Sequence, residues 1–295
     1  MEIWVGFTLF AAFMQAVRTA GQKRIAKYIS PMATTLVRYI FGLPFAAAYL
    51  FYLGDQQLLQ TIEKASQNNQ FLLFAIAAAI SQIFATVWLV KVLSFKNFAV
   101  GTSFAKTEAI QTAILGALFF SAYLSFYGWL AVVLGVLGIL VVSLPSKGQP
   151  LEKMTVFYGV LSGIAFALTS LWIRQGSLSL GDDLMFNAAI TLVFMVTLQS
   201  VICFVYVYWR EYEQLIILKK HIKLALFVGA TSAFGSIGWF TAMTYHNAAI
   251  VKSLGQIEFI FTLLITYFFF NEKISFKEYI GMILIMLSVI ILLLT

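Results

Sequence analysis

Long apolar runs, separated by short polar or turn-forming stretches, repeat along the whole chain. A helix needs about 20 residues to cross a hydrocarbon core of roughly 30 Å, and runs of this length recur from end to end. They are continuous, whereas a membrane β-barrel would show short segments of alternating polarity. The pattern therefore predicts an all-α membrane protein with ten transmembrane helices. The predicted spans are residues 3–21, 31–53, 71–93, 98–120, 124–144, 154–175, 184–209, 222–245, 248–270 and 275–294.

The composition supports a membrane protein and excludes other classes. Of 295 residues, 61% are hydrophobic and 11% charged, whereas about a quarter of a soluble domain is charged. The net charge of +7 comes from basic residues in short loops. Basic residues in such loops set the orientation of a protein in the membrane, so we expect no nucleic-acid partner. Cys203 is the only cysteine, so an intramolecular disulfide and two-cysteine metal motifs are excluded. We expect no enzyme activity, no cofactor and no metal. Pro44 lies inside a predicted span, where a proline kinks a helix.

The two halves of the chain match at a shift of 150 residues. This shift pairs Glu108 with Glu258 and Thr112 with Thr262. A shared apolar bias alone does not produce matches at Asn, Ser, Glu and Thr. We therefore predict two repeats, residues 1–144 and 154–295, joined by a linker at 145–153. Further matched pairs are Asn97 with Asn247, Ala99 with Ala249, Ser103 with Ser253, and Ser125 with Ser275.

Five spans per half is an odd number, so the second half enters the membrane from the opposite side. This predicts two inverted five-helix repeats around a central cavity, an arrangement of many secondary transporters that bind substrate near the midplane. Two such halves offer two packings of similar energy, and alternating access follows. The odd-numbered loops hold thirteen Lys or Arg residues and the even-numbered loops two, which places both termini outside the cell.

Ionisable residues inside predicted spans are candidates for function because their burial in a membrane is costly. Glu108 and Glu258 lie on stripes of small and polar residues: Gly101, Ala105, Glu108 and Thr112 in one span, and Val251, Gly255, Glu258 and Thr262 in the other. They are our proton-coupling candidates. The predicted substrate-binding residues are Gln15, Arg18, Gln82, Thr86, Glu108, Trp172, Ser232, Ser236, Trp239, Lys252 and Glu258.

Structural roles are the alternative for several of these residues. Either glutamate could instead neutralise a neighbouring cation, such as Arg18 or Lys252, between helices. Lys106 and Lys252 could equally extend to the membrane interface, and Arg38 could be an anchor there. We expect His246 to lie solvated in a turn, and Trp4, Trp129 and Trp209 to lie at membrane boundaries.

Two segments resemble a known family. The stretch "FFFNEKISFKEYIGMILIMLSVIILL" (268–293), with Glu272 at a turn and Gly281 opening the last span, is similar to the end of an EamA domain of the drug/metabolite transporter superfamily. Residues 119–141 are similar but lack the acidic turn residue, and Ser30-Pro31 followed by Arg38 resembles the second span. The resemblance covers the whole chain. It implies an inner-membrane metabolite carrier with a cavity lined by spans 1, 3, 4, 6, 8 and 9, and cytoplasmic termini, in conflict with the loop charges.

The leading hypothesis is a secondary transporter that exports or exchanges small polar metabolites such as amino acids. The alternatives are proton-coupled efflux of lipophilic cations, exchange of phosphorylated or nucleotide-linked anions, and a lipid flippase. The expected partners are a small-molecule substrate and the lipid bilayer, with the chain as a monomer or homodimer. An intramembrane enzyme would need a nucleophile with a base or metal ligands at helical spacing, which the sequence lacks.

Overall fold

The computed structural model describes residues 2–54, 58–93, 104–143, 153–270 and 276–294. Within these ranges the chain is almost entirely helical and contains no strand. The helices are α1 (Ile3–Ile25), α2 (Pro31–Ile40), α3 (Leu43–Leu53), α4 (Leu58–Gln67), α5 (Asn69–Leu93), α6 (Glu108–Phe120), α7 (Phe126–Ser143), α8 (Lys153–Leu178), α9 (Leu184–Arg210), α10 (Tyr212–Lys220), α11 (Ile222–Tyr245), α12 (Ala248–Leu254), α13 (Glu258–Phe270) and α14 (Phe276–Leu293).

The all-helical membrane class predicted from the sequence is confirmed. Seven described segments are long and apolar enough to cross a membrane: Ile3–Ile25, Pro31–Leu53, Asn69–Leu93, Lys153–Leu178, Leu184–Arg210, Ile222–Tyr245 and Phe276–Leu293. A shorter apolar helix covers Phe126–Val141. The remaining two predicted spans are residues 98–120 and 248–270, and each was expected to be one continuous helix. That expectation is wrong for 248–270 and for the part of 98–120 that the structure describes. Each contains a break in its helix, so the count of ten spans stays a prediction.

Local sequence signals explain several helix boundaries. Ser30 caps α2 by accepting a hydrogen bond from the backbone N–H of Ala33, and Pro31 occupies the first turn, where it displaces no intrahelical bond. The kink expected at Pro44 is present as a break between α2 and α3 at Phe41–Gly42. Two short helices outside the predicted spans, α4 and α10, were not anticipated.

Helix packing follows the same rule in both halves. Helix α1 packs along α11, and α5 packs along α8; α6 contacts α8, and α13 contacts α1; α7 pairs with α14. Exchanging each helix for the corresponding helix of the other half leaves this set of contacts unchanged. Because all of these contacts join one half to the other, the core lies between the halves. The predicted linker lies outside the described residues except for Lys153. The same holds for several residues named from the sequence, namely Asn97, Ala99, Gly101, Ser103, Glu272 and Ser275.

Polar and apolar side chains are distributed as expected for a protein in lipid. Phe51, Leu73 and Leu118 are largely exposed on outer helix faces, whereas Arg18, Gln199 and Glu258 are buried between helices. Polar groups in a membrane interior are tolerated where they find partners or line a cavity. The buried polar residues therefore mark the interior as the place to look for function.

Candidate functional site

Glu108 and Glu258 each begin a helix directly after a break. Residues 104–106 are helical, Thr107 is a turn, and α6 starts at Glu108. In the second half, α12 ends at Leu254, a 3-10 turn covers Gly255–Ile257, and α13 starts at Glu258. Both carboxylates thus lie at helix N-termini inside the protein, where the helix dipole favours negative charge.

The first turn after each glutamate is built in the same way. The hydroxyl of Thr112 donates to the backbone carbonyl of Glu108 at 2.7 Å. The hydroxyl of Thr262 donates to the carbonyl of Glu258 at 2.9 Å. The 150-residue match of the sequence is therefore also a match of local structure around the two carboxylates.

Each glutamate pairs with a lysine of the other half. Lys106 forms an ion pair with Glu258, which also accepts a hydrogen bond from Gln15 Nε2 at 2.5 Å. Lys252 Nζ lies 2.5 Å from Glu108 Oε1, at an angle outside hydrogen-bond geometry. The glutamate side chains are only 6% and 11% exposed, so both carboxylates of these crossed ion pairs are shielded from water.

Trp239 forms one wall beside these charges. Lys252 Nζ lies 4.5 Å from the centre of the indole ring, within range of a cation–π interaction. The indole Nε1 donates to Gln15 Oε1 at 2.8 Å, so Gln15 links Trp239 to Glu258. Gly255 permits this packing, because a Cβ at that position would overlap the Trp239 ring.

A second polar network surrounds Arg38. Its Nη1 donates to Thr86 Oγ1 at 2.8 Å, and the Tyr39 hydroxyl donates to the backbone carbonyl of Gln82 at 3.2 Å. Gln199 Nε2 in turn donates to Gln82 Oε1 at 2.9 Å. These bonds join α2, α5 and α9, and the bond to Thr86 ties the Arg38 guanidinium to α5.

These groups meet around a cavity between the two halves, with about 550 Å³ of empty space including the part open to solvent. Of the predicted site residues, Gln15, Arg18, Gln82, Glu108, Ser236, Trp239 and Lys252 line it. Thr86 and Glu258 do not line it but contact residues that do: Thr86 is hydrogen-bonded to Arg38, and Glu258 contacts Gln15 and Lys106. Ser232 lines a smaller adjacent cavity together with Ser236 and Arg38.

Trp172 is a predicted site residue that lines neither of the two cavities. Helix α8 instead presents Phe166, Thr169, Ser170 and Ile173, whose spacing of i, i+3, i+4 and i+7 marks a single face. Trp172 lies about 110° around the helix from the centre of that face, given 3.6 residues per turn, and packs against the hydrophobic core.

Sequence reasoning underestimated two cations and missed one helix face. Lys106 and Arg38 were weighed as interface residues, yet both line the cavity. Lys106 is held by the glutamate of the other half, a contact that no signal within its own span reveals. The Phe166 to Ile173 face could have been found from its helical spacing.

The end of α11 is closed by side chains from two other helices. Arg174 Nη1 donates to the carbonyls of Met243, Thr244 and His246 at 2.7, 3.0 and 2.5 Å. The ring of Trp4 stacks on His246, with ring centres 4.4 Å apart. His246 was expected to be solvated, but it is half-buried, and this burial lowers its pKa, with Arg174 acting in the same direction and Glu2 against it.

Comparisons with known proteins place this architecture in a family. The model of the EamA-like transporter family matches residues 2–144 and again residues 153–294. No curated protein was found to match the chain. One crystal structure of a protein with 10% sequence identity superimposes with a TM-score of 0.74, covering 99% of this chain and 96% of its own, which supports the fold alone. The chain is therefore a multi-pass membrane protein and belongs to the EamA-like transporter family.

Proposed function

We propose that this protein is a secondary carrier that exports or exchanges a small polar metabolite, such as an amino acid, by alternating access between two inverted repeats. The proposed repeats are residues 1–144 and 154–295. The family supplies the class, a membrane transporter of small molecules. The helix contacts, which are unchanged when the halves are exchanged, support the repeat arrangement.

The observation on which the proposal mainly rests is the pair of crossed ion pairs. Lys106 with Glu258 and Lys252 with Glu108 tie the two halves together beside the central cavity. A movement that opens the cavity between the halves must loosen these contacts. Ionised groups of a solute can replace the lost partners: an ammonium group for a lysine, or a carboxylate for a glutamate.

This substitution couples solute binding to the conformational change. A ligand shifts a conformational equilibrium only by as much as it prefers one state over the other. A solute that replaces an inter-repeat ion pair has such a preference, because its contacts are available only where the pair is broken. Protonation of Glu108 or Glu258 would release its lysine in the same way, which makes the two residues candidates for proton coupling.

Efflux of lipophilic cations fits the cavity less well. Arg18, Arg38, Lys106 and Lys252 all line it, and both glutamates already have lysine partners. A cationic solute would have to compete with these lysines for the carboxylates. The excess of cations instead favours solutes that contain a negatively charged group, including the anions considered as an alternative.

Transport by the full-length chain in proteoliposomes tests the function. We expect one of four radiolabelled solute classes, namely amino acids, dicarboxylates, phosphate esters and hydrophobic cations, to be taken up. Glu258→Gln should abolish uptake without affecting membrane insertion, whereas Glu63→Gln, the same substitution at an exposed position on α4, should leave it unchanged. Uptake that is equal in both variants would refute the role of Glu258.

Alternating access has its own test because Cys203 is the single cysteine and is buried. A cysteine introduced by Phe166→Cys lies midway along α8 and lines the cavity. A membrane-impermeant maleimide should label it from both sides of the membrane, in right-side-out and inside-out vesicles. The wild-type chain serves as the unlabelled control, and labelling from one side only would contradict alternating access.

A further inference from the structure

Arg18 is buried in the C-terminal half of α1, and its side chain has no bonded partner among the described residues. Its residue is 2% exposed, it lines the central cavity, and its Nε atom has no hydrogen-bond partner. Among the described residues it forms no ion pair, because Glu108 and Glu258 are each paired with a lysine and act on Arg18 only from a greater distance. An unpartnered guanidinium inside a membrane protein is costly, and none of the described residues offsets that cost, so Arg18 is a candidate for binding a ligand.

A second donor without a partner among the described residues lies at the same level. Helices α1 and α11 run antiparallel, with Gly21 against Val228 and Gly235 against Met14. This register brings Ser232 opposite Arg18. The hydroxyl of Ser232 has no hydrogen-bond partner, and Ser232 shares the smaller cavity with Arg38.

The charges around the cavity are unequal. Within the described part of the chain, four cations line it, namely Arg18, Arg38, Lys106 and Lys252, whereas Glu108 and Glu258 are the carboxylates within reach. The lysines are neutralised by the glutamates, and Arg38 has a neutral partner in Thr86. Arg18 and Arg38 also repel each other. The site therefore offers donors and positive charge to a ligand that supplies acceptors and negative charge.

We propose that Arg18 is the anchor for an oxyanion of the transported solute, so that the substrate is a small acid with a carboxylate or phosphate group and a net negative charge at neutral pH. This assignment rests on the proposed carrier function and specifies its substrate class. The planar guanidinium binds either oxyanion through two parallel hydrogen bonds. Binding relieves the repulsion between Arg18 and Arg38. The oxyanion can also take the place of a glutamate beside its lysine, whereas the ammonium group of a zwitterion would compete with Lys106 and Lys252 for the glutamates.

The first test needs no ligand. The full-length chain contains six tryptophans, so its thermal unfolding in detergent can be followed by intrinsic fluorescence. Arg18→Gln removes no hydrogen bond to any described residue and ends a repulsion, so the midpoint should stay equal or rise relative to wild type. Arg24→Gln, on the same helix but exposed, is the matched control. A midpoint clearly lower for Arg18→Gln than for the control would make Arg18 structural and overturn the proposal.

The second test adds four probes to the same proteins: succinate, glycerol 3-phosphate, alanine and tetraphenylphosphonium. Ligands that bind the folded state raise the midpoint by mass action. We expect succinate or glycerol 3-phosphate to stabilise wild type and Arg24→Gln, and the responding compound identifies the oxyanion as carboxylate or phosphate. Arg18→Gln should bind it at least about 30-fold more weakly. Arg18→Lys should be intermediate, because it keeps the charge but loses the two-pronged geometry.

The failures of the two proposals are distinguishable. If alanine or tetraphenylphosphonium is transported in proteoliposomes and stabilises Arg18→Gln as much as wild type, the carrier function stands and the anion assignment is overturned. If an anion stabilises wild type and Arg18→Gln equally, Arg18 is not its anchor. If no solute of any class crosses the membrane of proteoliposomes containing the wild-type protein, the carrier function itself is overturned.

Discussion

The crossed ion pairs allow a quantitative prediction, and the pair of Lys252 with Glu108 is the better shielded. Its side chains are 12% and 11% exposed, whereas Lys106 in the other pair is 29% exposed. The perturbation is a double-mutant cycle with Lys252→Met, Glu108→Gln and the double variant. The same cycle with Lys106→Met and Glu258→Gln is the internal comparison.

The magnitude follows from burial. Removing one member of a buried ion pair typically costs about 3–5 kcal/mol, because the remaining charge stays unpaired, whereas replacing both members costs much less. Residual exposure places each single variant near the lower end, about 3 kcal/mol. Lys252→Met should cost more than Glu108→Gln, because it also removes the contact with the Trp239 ring, roughly 0.5–2 kcal/mol. We expect a coupling of about 2 kcal/mol for Lys252 with Glu108 and about 1 kcal/mol or less for the more exposed pair.

The free energy of unfolding can be measured by SDS titration of the full-length chain in mixed micelles, with tryptophan fluorescence as the readout. Variants of residues without a shared contact usually add within about 0.5 kcal/mol. If the effects of Lys252→Met and Glu108→Gln add within that range, the pair does not exist in the folded protein. If the Lys106 cycle gives the larger coupling, burial does not set the strength of these contacts, and the reasoning is refuted.

Two further predictions concern Gly255 and His246. Gly255→Ala would place a Cβ in the Trp239 ring and should abolish transport with correct insertion, whereas Gly176→Ala, whose Cβ meets nothing closer than 3.5 Å, should be tolerated; equal transport by both variants would contradict this packing. Burial lowers the pKa of His246, so below the ordinary value of about 6.5 the unfolded state takes up a proton that the folded state does not, and stability falls with falling pH. The thermal midpoint should drop between about pH 7 and about pH 5, and less in His246→Gln; parallel profiles would argue against the shift.

Most of the fold was predictable because membrane spans are encoded locally. Continuous apolar runs specify helices that satisfy their own backbone hydrogen bonds, so seven segments were recovered as long apolar helices. Breaks within spans were harder to foresee. Pro44 predicted the break between α2 and α3. The 3-10 turn at Gly255–Ile257, in contrast, contains no proline and lies in an apolar stretch. It depends on tertiary contacts, such as that of Gly255 with Trp239.

The candidate site was predictable only where it follows the repeat. The 150-residue match singled out Glu108 and Glu258 as a pair. Lys252 was weighed from the sequence as a partner for either glutamate, but Lys106 was not. Which lysine meets which glutamate was not predictable, because both lysines reach across the interface between the halves. Such contacts depend on how the halves pack, which no pattern within a single span encodes.

The two lysines also break the symmetry that the glutamates suggest. The position equivalent to Lys106 is Gln256, and the position equivalent to Lys252 is Thr102. Gln256 lies by Gly135 and Ser288, between α7 and α14, whereas Lys106 reaches into the cavity. Simple exchange of the halves therefore cannot regenerate the same ion pairs, so the two states of the proposed cycle differ in energy. A carrier with such a bias needs a solute or a proton to populate the second state, and the crossed ion pairs are where either would act.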